Sequence, residues 1–296
     1  MKTIDLRFQG HSKVIATGVL EGPSGIGLVD PGPSSTLHAL ESGLRALGHR
    51  IEDVKALLLT HIHLDHAGAS GTLAERVPSL RVYVHQRGAP HMADPTKLMD
   101  SATRLYGDKM DELWGEMRPV PAERMQVLTG GERLEMLGRT LQVAYTPGHA
   151  SHHVSYLDHS SGIAYVGDTA GIRRVKDYIT APTPPPDIDL EAWEPSLQTI
   201  EGWRPSALFL THFGTVTDVT EHLRRFRNVL DTQARRVKAT LAWEGSDEER
   251  VNRFIEEMRV AARREMSNED ALSLEMAAPF AQLWQGLARY WRKRAS

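Results

Sequence analysis

The stretch LLLTHIHLDHAGA, Leu57 to Ala69, passes from a strand-like apolar run directly into His61, His63, Asp65 and His66. Imidazole nitrogen and carboxylate oxygen are ligands suited to zinc, iron or manganese. Where a strand turns into a loop, residues i and i+2 can face one cavity. His61 and His63 can therefore share one metal while Asp65 and His66 turn toward a second. The bland alternative is a polar turn that is merely rich in histidine. A segment this short also cannot close a four-coordinate site and leave a position for substrate, so further ligands must come from elsewhere.

Candidates stand at the same kind of place along the chain. AYTPGHAS puts His149 after a strand-like run, AYVGDTAG puts Asp168 after another, and LFLTHFG puts His212 after a third. Polar ligands at several strand ends, each followed by small residues, converge on one sheet edge and make a cleft.

The elements that position these residues follow from periodicity. Val14–Leu20 and Ile26–Asp30 look like strands joined by EGPSG. GPSGIG resembles a phosphate loop, but no helix follows it, and a hairpin turn explains it. A Ser-capped helix ending at Gly48 comes next, then strands VKALLLT and RVYVHQ, and a long helical stretch from about Asp94 to Gly115. Hairpin strands lie within Arg124–His149, followed by HVSYLD and GIAYVGD. TAPTPPPDIDL is expected as a fixed surface connector. After the helix LEAWEPSLQTIEGW and the strand SALFLTHFG, everything beyond about Asp218 has helical spacing, with about three helices capped at Ser246 and Asn268.

Composition narrows the class. The 296 residues are 41% hydrophobic, enough for a sizeable core, and the net charge of -3 gives no nucleic-acid footprint. With no cysteine, disulfides and thiolate ligands are excluded. The polar start lacks a signal-peptide core and no stretch reads as a membrane span, so a cytoplasmic protein with no membrane or nucleic-acid partner is expected.

In order, His-x-His-x-Asp-His, Gly-His, Gly-Asp and a last His, with LVDPG upstream, resemble the metallo-β-lactamase fold superfamily of binuclear metallohydrolases over roughly residues 1–215. The resemblance implies an α/β fold, a four-layer αβ/βα sandwich of two mixed sheets, in residues 1–217. A C-terminal helical extension, 218–296, would follow. It implies two divalent cations, zinc first, manganese or iron next. His61, His63 and His149 would hold one cation; Asp65, His66 and His212 the other; Asp168 would bridge both. Asp30 and His153 would stand behind the ligands. A hydroxide shared by the cations would attack a carbonyl or phosphoryl centre, with Asp65 taking its proton and returning it to the leaving group.

The superfamily's substrates are diverse, and fold alone does not choose among them. The cysteine-dependent β-lactamases are excluded by composition, and His63 stands where the diiron reductases usually carry glutamate. A tyrosine often follows the bridging aspartate in acyl-homoserine-lactone lactonases, and DTAGIRR has none. The expected substrate is a small hydrophobic ester or lactone of the acyl-homoserine-lactone kind. A glyoxalase II-like thioester or a phosphoester is the alternative, and an iron-dependent redox enzyme a further one. A homodimer is compatible with this reading. Tyr106 and Trp114 would wall the cleft from a helical lid, and His85 is a further candidate for it. His11, His38, His49, His91, His152, His159 and His222 are expected to be solvated or packed. The stripe Phe280, Leu283, Trp284, Leu287, Tyr290 and Trp291 should bury itself mostly on the main domain, with part of the tail shaping the cleft.

Overall fold

The computed structural model describes residues 2–176 and 178–295. Its first sheet has six strands in chain order: β1 (Lys2–Asp5), β2 (Ala16–Gly22), β3 (Gly25–Val29), β4 (Val54–Leu58), β5 (Arg81–His85) and β6 (Met125–Leu128). β1 to β3 are antiparallel and β3 to β6 parallel. Gly22 pairs with Gly25, so the glycine-rich stretch is the hairpin turn expected of it. The second sheet contains β7 (Arg133–Met136), β8 (Arg139–Tyr145), β9 (Val154–Asp158), β10 (Ile163–Tyr165), β13 (Ala207–Leu210) and β14 (Gly214–Val216), ordered β14-β13-β10-β9-β8-β7. Only the β10–β13 pair within it is parallel. A separate ribbon, β11 (Ile172–Val175) and β12 (Tyr178–Thr180), follows β10.

Strand alternation explains the layering. In β4, Leu57 faces one hydrophobic cluster and Leu58 another; in β10, Ala164 and Tyr165 do the same, as do Leu208 and Phe209 in β13. The central strands are buried on both faces, so β3, β4, β10 and β13 are nearly continuous apolar runs, whereas β6 and β7 at the edges stay partly exposed. Leu20, Val29 and Leu58 of the first sheet meet Val143, Tyr156 and Phe209 of the second in the central layer. Outside the first sheet pack α1 (Leu37–Ala46), α2 (Leu64–Ala67), α3 (Ser70–Arg76), α4 (Ala89–Ala93), α5 (Thr96–Tyr106) and α6 (Met110–Leu113). Outside the second pack α7 (Leu190–Gly202), α8 (Val219–Thr240), α9 (Asp247–Glu265), α10 (Asn268–Ala277) and α11 (Phe280–Ala295). This is the four-layer αβ/βα sandwich of two mixed sheets. No helix among the described residues is long and apolar enough to cross a membrane.

Several expectations need correction. The long helix after Asp94 is broken: α5 stops at Gly107, whose φ of 55° lies in the left-handed region that glycine tolerates. The tail holds four helices. Pro279 ends the pattern that read as one helix, because it cannot continue the hydrogen-bond ladder, and α10 and α11 separate there. Ser267, not Asn268, caps α10, accepting from the Asp270 N–H, while Ser246 caps α9 in a reciprocal box with Glu249. The proline segment is half buried rather than superficial. Thr180, Ala181 and Thr183 are buried, and the Gln233 amide donates to Ala181 O and Thr183 Oγ1. A segment with so few N–H groups still has carbonyls to satisfy, and the tail supplies donors. At Gly286 of α11 a side chain would meet Thr183 O at 2.0 Å, so glycine there permits the contact.

Candidate metal centre

Each candidate ligand follows a strand. His61 and His63 lie between β4 and α2, Asp65 and His66 on α2, His149 after β8, Asp168 after β10 and His212 after β13. The structure brings these seven together in overlapping groups: His61, His63 and His149; His61, His66 and Asp168; Asp65, His66 and His212. In the first, His61 Nε2 and His63 Nδ1 are 2.9 Å apart, and His149 Nε2 is 3.2 and 3.0 Å from them. In the last, His212 Nε2 and His66 Nε2 are 3.2 and 3.6 Å from Asp65 Oδ2. Asp168 spans both sides, with Oδ2 3.4 Å from His149 Nε2 and Oδ1 3.3 and 3.7 Å from His66 and His212 Nε2.

Proton accounting decides what these close contacts are. His149 Nδ1 donates to Pro182 O at 2.8 Å, His212 Nδ1 to Val14 O at 2.6 Å, and His66 Nδ1 to Asp30 Oδ2 at 2.8 Å. Thr60 Oγ1 gives its proton to Asp30, so it accepts from His61 Nδ1 at 3.1 Å. In the neutral, metal-binding form each of these rings has one proton, and it is then committed on the far side. Four Nε2 lone pairs therefore point into one space with no donor among them. His66 Nε2, His212 Nε2 and Asp168 Oδ1 are buried without a hydrogen-bond partner. Imidazoles held by far-side acceptors and converging with carboxylates fit a pair of divalent cations.

The charge balance agrees. Burial, then neighbouring imidazoles, hold His61 well below its ordinary value and His63 at about 4. Neutral imidazole is the metal-binding form. At His66 and His212 burial is outweighed by carboxylates, Asp65 and Asp168 among them, and both shift upward, so a proton on Nε2 would take the place that a bound cation would fill. Burial would raise Asp65 and Asp168, but the neighbouring histidines prevail and hold Asp65 at about 2 and Asp168 lower than usual. Two ionised carboxylates in a buried pocket call for added positive charge.

Asp30, fully buried, joins two of the ligand-bearing segments, the one after β4 and the one after β13. It accepts from Thr60 N and Oγ1 at 2.8 Å each, from Thr211 Oγ1 at 2.7 Å and from His66 Nδ1. His153 is not among the converging ligand atoms. Its Nε2 accepts from the Asp168 N–H at 3.3 Å, its Nδ1 lies 2.9 Å from Thr146 Oγ1, and its ring stacks on His61. Gly167, with φ +46°, lets these loops touch; a Cβ there would stand 2.4 Å from Thr60 Oγ1 and 2.7 Å from His153 Nε2.

A cavity of about 770 Å³ reaches the ligands His63, Asp65, His149 and Asp168. Its walls come from the loop after β4, from α5, from Trp114, from the proline segment and from the α10–α11 turn. The aromatic stripe of α11 is mostly core, but Ala281, Gln282, Leu283 and Gln285 line the cavity. His85 is not in its wall; it is buried and stacked on Tyr145 at 4.5 Å. His91 and His152 do line it, and His152 stacks over His61 at 6.1 Å. The sequence signal for His152 was its place beside His153, three residues after His149. Gln282 gave none, since only the tertiary fold brings it here.

A two-sheet sandwich carrying converging His and Asp ligands at strand ends defines a class. The metallo-beta-lactamase superfamily model matches residues 14–212, and the chain belongs to that superfamily, by class a metal-dependent hydrolase. A metallo-beta-lactamase fold-containing protein of Sulfurisphaera tokodaii is 28% identical over 180 residues, 59% of this chain and 67% of that one. The crystal structure of an archaeal metallo-beta-lactamase superfamily protein from Sulfolobus tokodaii covers 100% of this chain and 98% of its own, at TM-score 0.68 and 20% identity, so the overall fold is shared. A hydroxyacylglutathione hydrolase of Aeromonas hydrophila is 32% identical over 142 residues, 48% of this chain, and the match spans only 41% of that enzyme. A protein solved in a di-iron-bound form is 28% identical, with TM-score 0.52 over 69% of this chain and 89% of its own.

Proposed function

We propose that the chain hydrolyses small esters or lactones with an apolar acyl part, using two divalent metal ions. The observation that carries this reading is the large, mainly apolar cavity opening directly on the ligand cluster. His61, His63 and His149 would hold one ion, Asp65, His66 and His212 the other, and Asp168 both. When bound, the pair would supply Lewis acidity and a water acidified toward pH 7. The residues do the rest. Asp65, mostly buried on α2 but lining the cavity, accepts a proton at its carboxylate and returns it to the leaving group. Asp30 and His153 fix the ligand loops, and Trp114, Leu98 and Leu283 exclude water around an acyl chain. Zinc suits the nitrogen-and-carboxylate donor set, and iron is its rival given the di-iron relative.

A thioester reading comes second. It is favoured by the hydroxyacylglutathione hydrolase relative and by Lys97, Arg104 and Lys109 along the cavity edge, which suit an anionic leaving portion. The test is a hydrolysis panel on metal-reconstituted protein: lactones, 4-nitrophenyl esters, glutathione thioesters, phosphodiesters and β-lactams. Esters and lactones should lead, with kcat/KM rising severalfold per added methylene, as about 0.8 kcal/mol of burial each would give. Preference for thioesters would move the assignment to the second reading. Preference for phosphodiesters would reject both.

A further inference from the structure

Two side chains from distant parts of the chain meet in the cavity wall. Tyr106 closes α5, and Gln282 stands in the first turn of α11, 176 residues later. The Tyr106 hydroxyl donates to Gln282 Oε1 at 3.2 Å. Hydroxyl donors favour about 2.7–2.8 Å, so this bond is long and readily exchanged. Gln282 is 8% exposed, and among the described residues its Nε2 has no hydrogen-bond partner. Both residues line the cavity beside Leu98, Ala102 and Leu283. The Tyr106 ring is held in place, edge-on to Trp114 at 5.1 Å, and Trp114 stacks on Phe8 at 5.4 Å. Burial first, then the Asp65 charge, hold the phenol well above its usual value. The hydroxyl is therefore a donor throughout the working pH range, within electrostatic reach of the ligand cluster.

A loosely engaged phenol and a spare amide N–H in an apolar chamber are costly to desolvate unless an incoming group satisfies them. An unsubstituted acyl chain would strip water from both and return nothing. A chain bearing an oxygen would replace that water.

We propose that Tyr106 and Gln282 are specificity-determining residues that together bind a hydroxyl or carbonyl oxygen carried on the substrate's acyl chain, a few bonds from the scissile carbonyl. This rests on the acyl-hydrolase reading and narrows its substrate class to oxygen-substituted acyl compounds. Tyr106 donates to that oxygen, Gln282 Nε2 offers a second donor, and Gln282 Oε1 accepts when the group is a hydroxyl. Neither residue touches the reacting bond, so both act on binding.

The test uses the full zinc-loaded chain, titrated by calorimetry with octanoate and with 3-hydroxyoctanoate, beside hydrolysis of their 4-nitrophenyl esters. The hydroxy acid should bind about tenfold more tightly, the ratio that the net contribution of one hydrogen bond gives. Tyr106→Phe and Gln282→Met should each remove most of that preference by weakening the hydroxy acid alone, and should raise KM only for the hydroxy ester. Thermal melts establish that each variant is folded, and either variant suffices. Equal affinities in the unmodified protein, or variants that weaken both acids equally, would overturn the proposal. An intact binding preference with no ester hydrolysed would support the subsite and remove the hydrolase reading instead.

Discussion

Asp30 accepts hydrogen bonds from both groups of Thr60, from Thr211 and from His66, and so sets the loops of His61, His66 and His212 at once. Asp30→Ala would strand those buried donors, at about 1–3 kcal/mol each where water cannot reach them. It would also free the His66 tautomer, and metal affinity should fall about 10–100-fold. Competition against a chromophoric chelator measures this, and an unchanged affinity would mean that Asp30 orients nothing. His222 offers a separate test through pH. Its Nε2 donates to Ala170 O at 2.8 Å, tying α8 to the loop after Asp168, and burial holds its pKa at about 4 against 6.5 unfolded. The unfolded chain binds the extra proton between those values. This contribution to stability is therefore full above pH 6.5, falls as the pH drops to about 4, and levels off below. Its size is about 3 kcal/mol at most. His222→Gln should flatten that part of the stability–pH curve in urea titrations, and an identical slope in both proteins would contradict the assignment. The ligand histidines were legible in the sequence because they cluster or stand where apolar runs end, His61, His63 and His66 after LLLT, His149 after VAYTPG and His212 after LFLT. Tyr106 and Trp114 were legible as cleft wall from their lid segment, but His152 and Gln282 were not, because their place in the cavity depends on how helices and loops pack rather than on spacing.

At the scale of elements, the tail and the proline segment form one unit with the sandwich. Thr183 Oγ1 donates to Leu283 O, His149 draws on Pro182 O, and α11 approaches closely enough at Gly286 to exclude any side chain. Gly286→Val should push α11 off the segment, lower the melting temperature by several degrees and weaken apolar ligands together with it. A melting temperature within error of the parent would show that the contact is slack. Truncation after Gly245 would expose Phe226, Trp193 and Leu208, which share a cluster with α9, α10 and α11. The shortened chain should then aggregate or melt far lower, rather than remain a folded enzyme with altered substrate preference; light scattering and circular dichroism distinguish these outcomes. Helical periodicity announced the tail and its break beside Ser267, one residue from the observed cap, but the break at Pro279 was overridden by the continuous apolar stripe. The buried half of the proline segment had no sequence sign, since its donors come from Gln233 on α8.

The whole molecule works by carrying strands from two sheets to one edge. β4 brings the His61 loop from the first sheet, and β8, β10 and β13 bring His149, Asp168 and His212 from the second. The central layer of Leu58, Tyr156 and Phe209 fixes the separation of the sheets and hence the spacing of the ligands. The two-sheet architecture was legible because β4, β10 and β13 are apolar runs that each end in a ligand, whereas the four-way split of the tail was not. This edge is proposed to hold two cations. Elemental analysis by mass spectrometry, on full-length protein stripped with chelator, reloaded with excess zinc or manganese and gel-filtered, tests it most directly. Two ions per chain are expected, falling to one or none in Asp168→Ala; a limit of one ion per chain in the unmodified protein would contradict the shared-carboxylate centre.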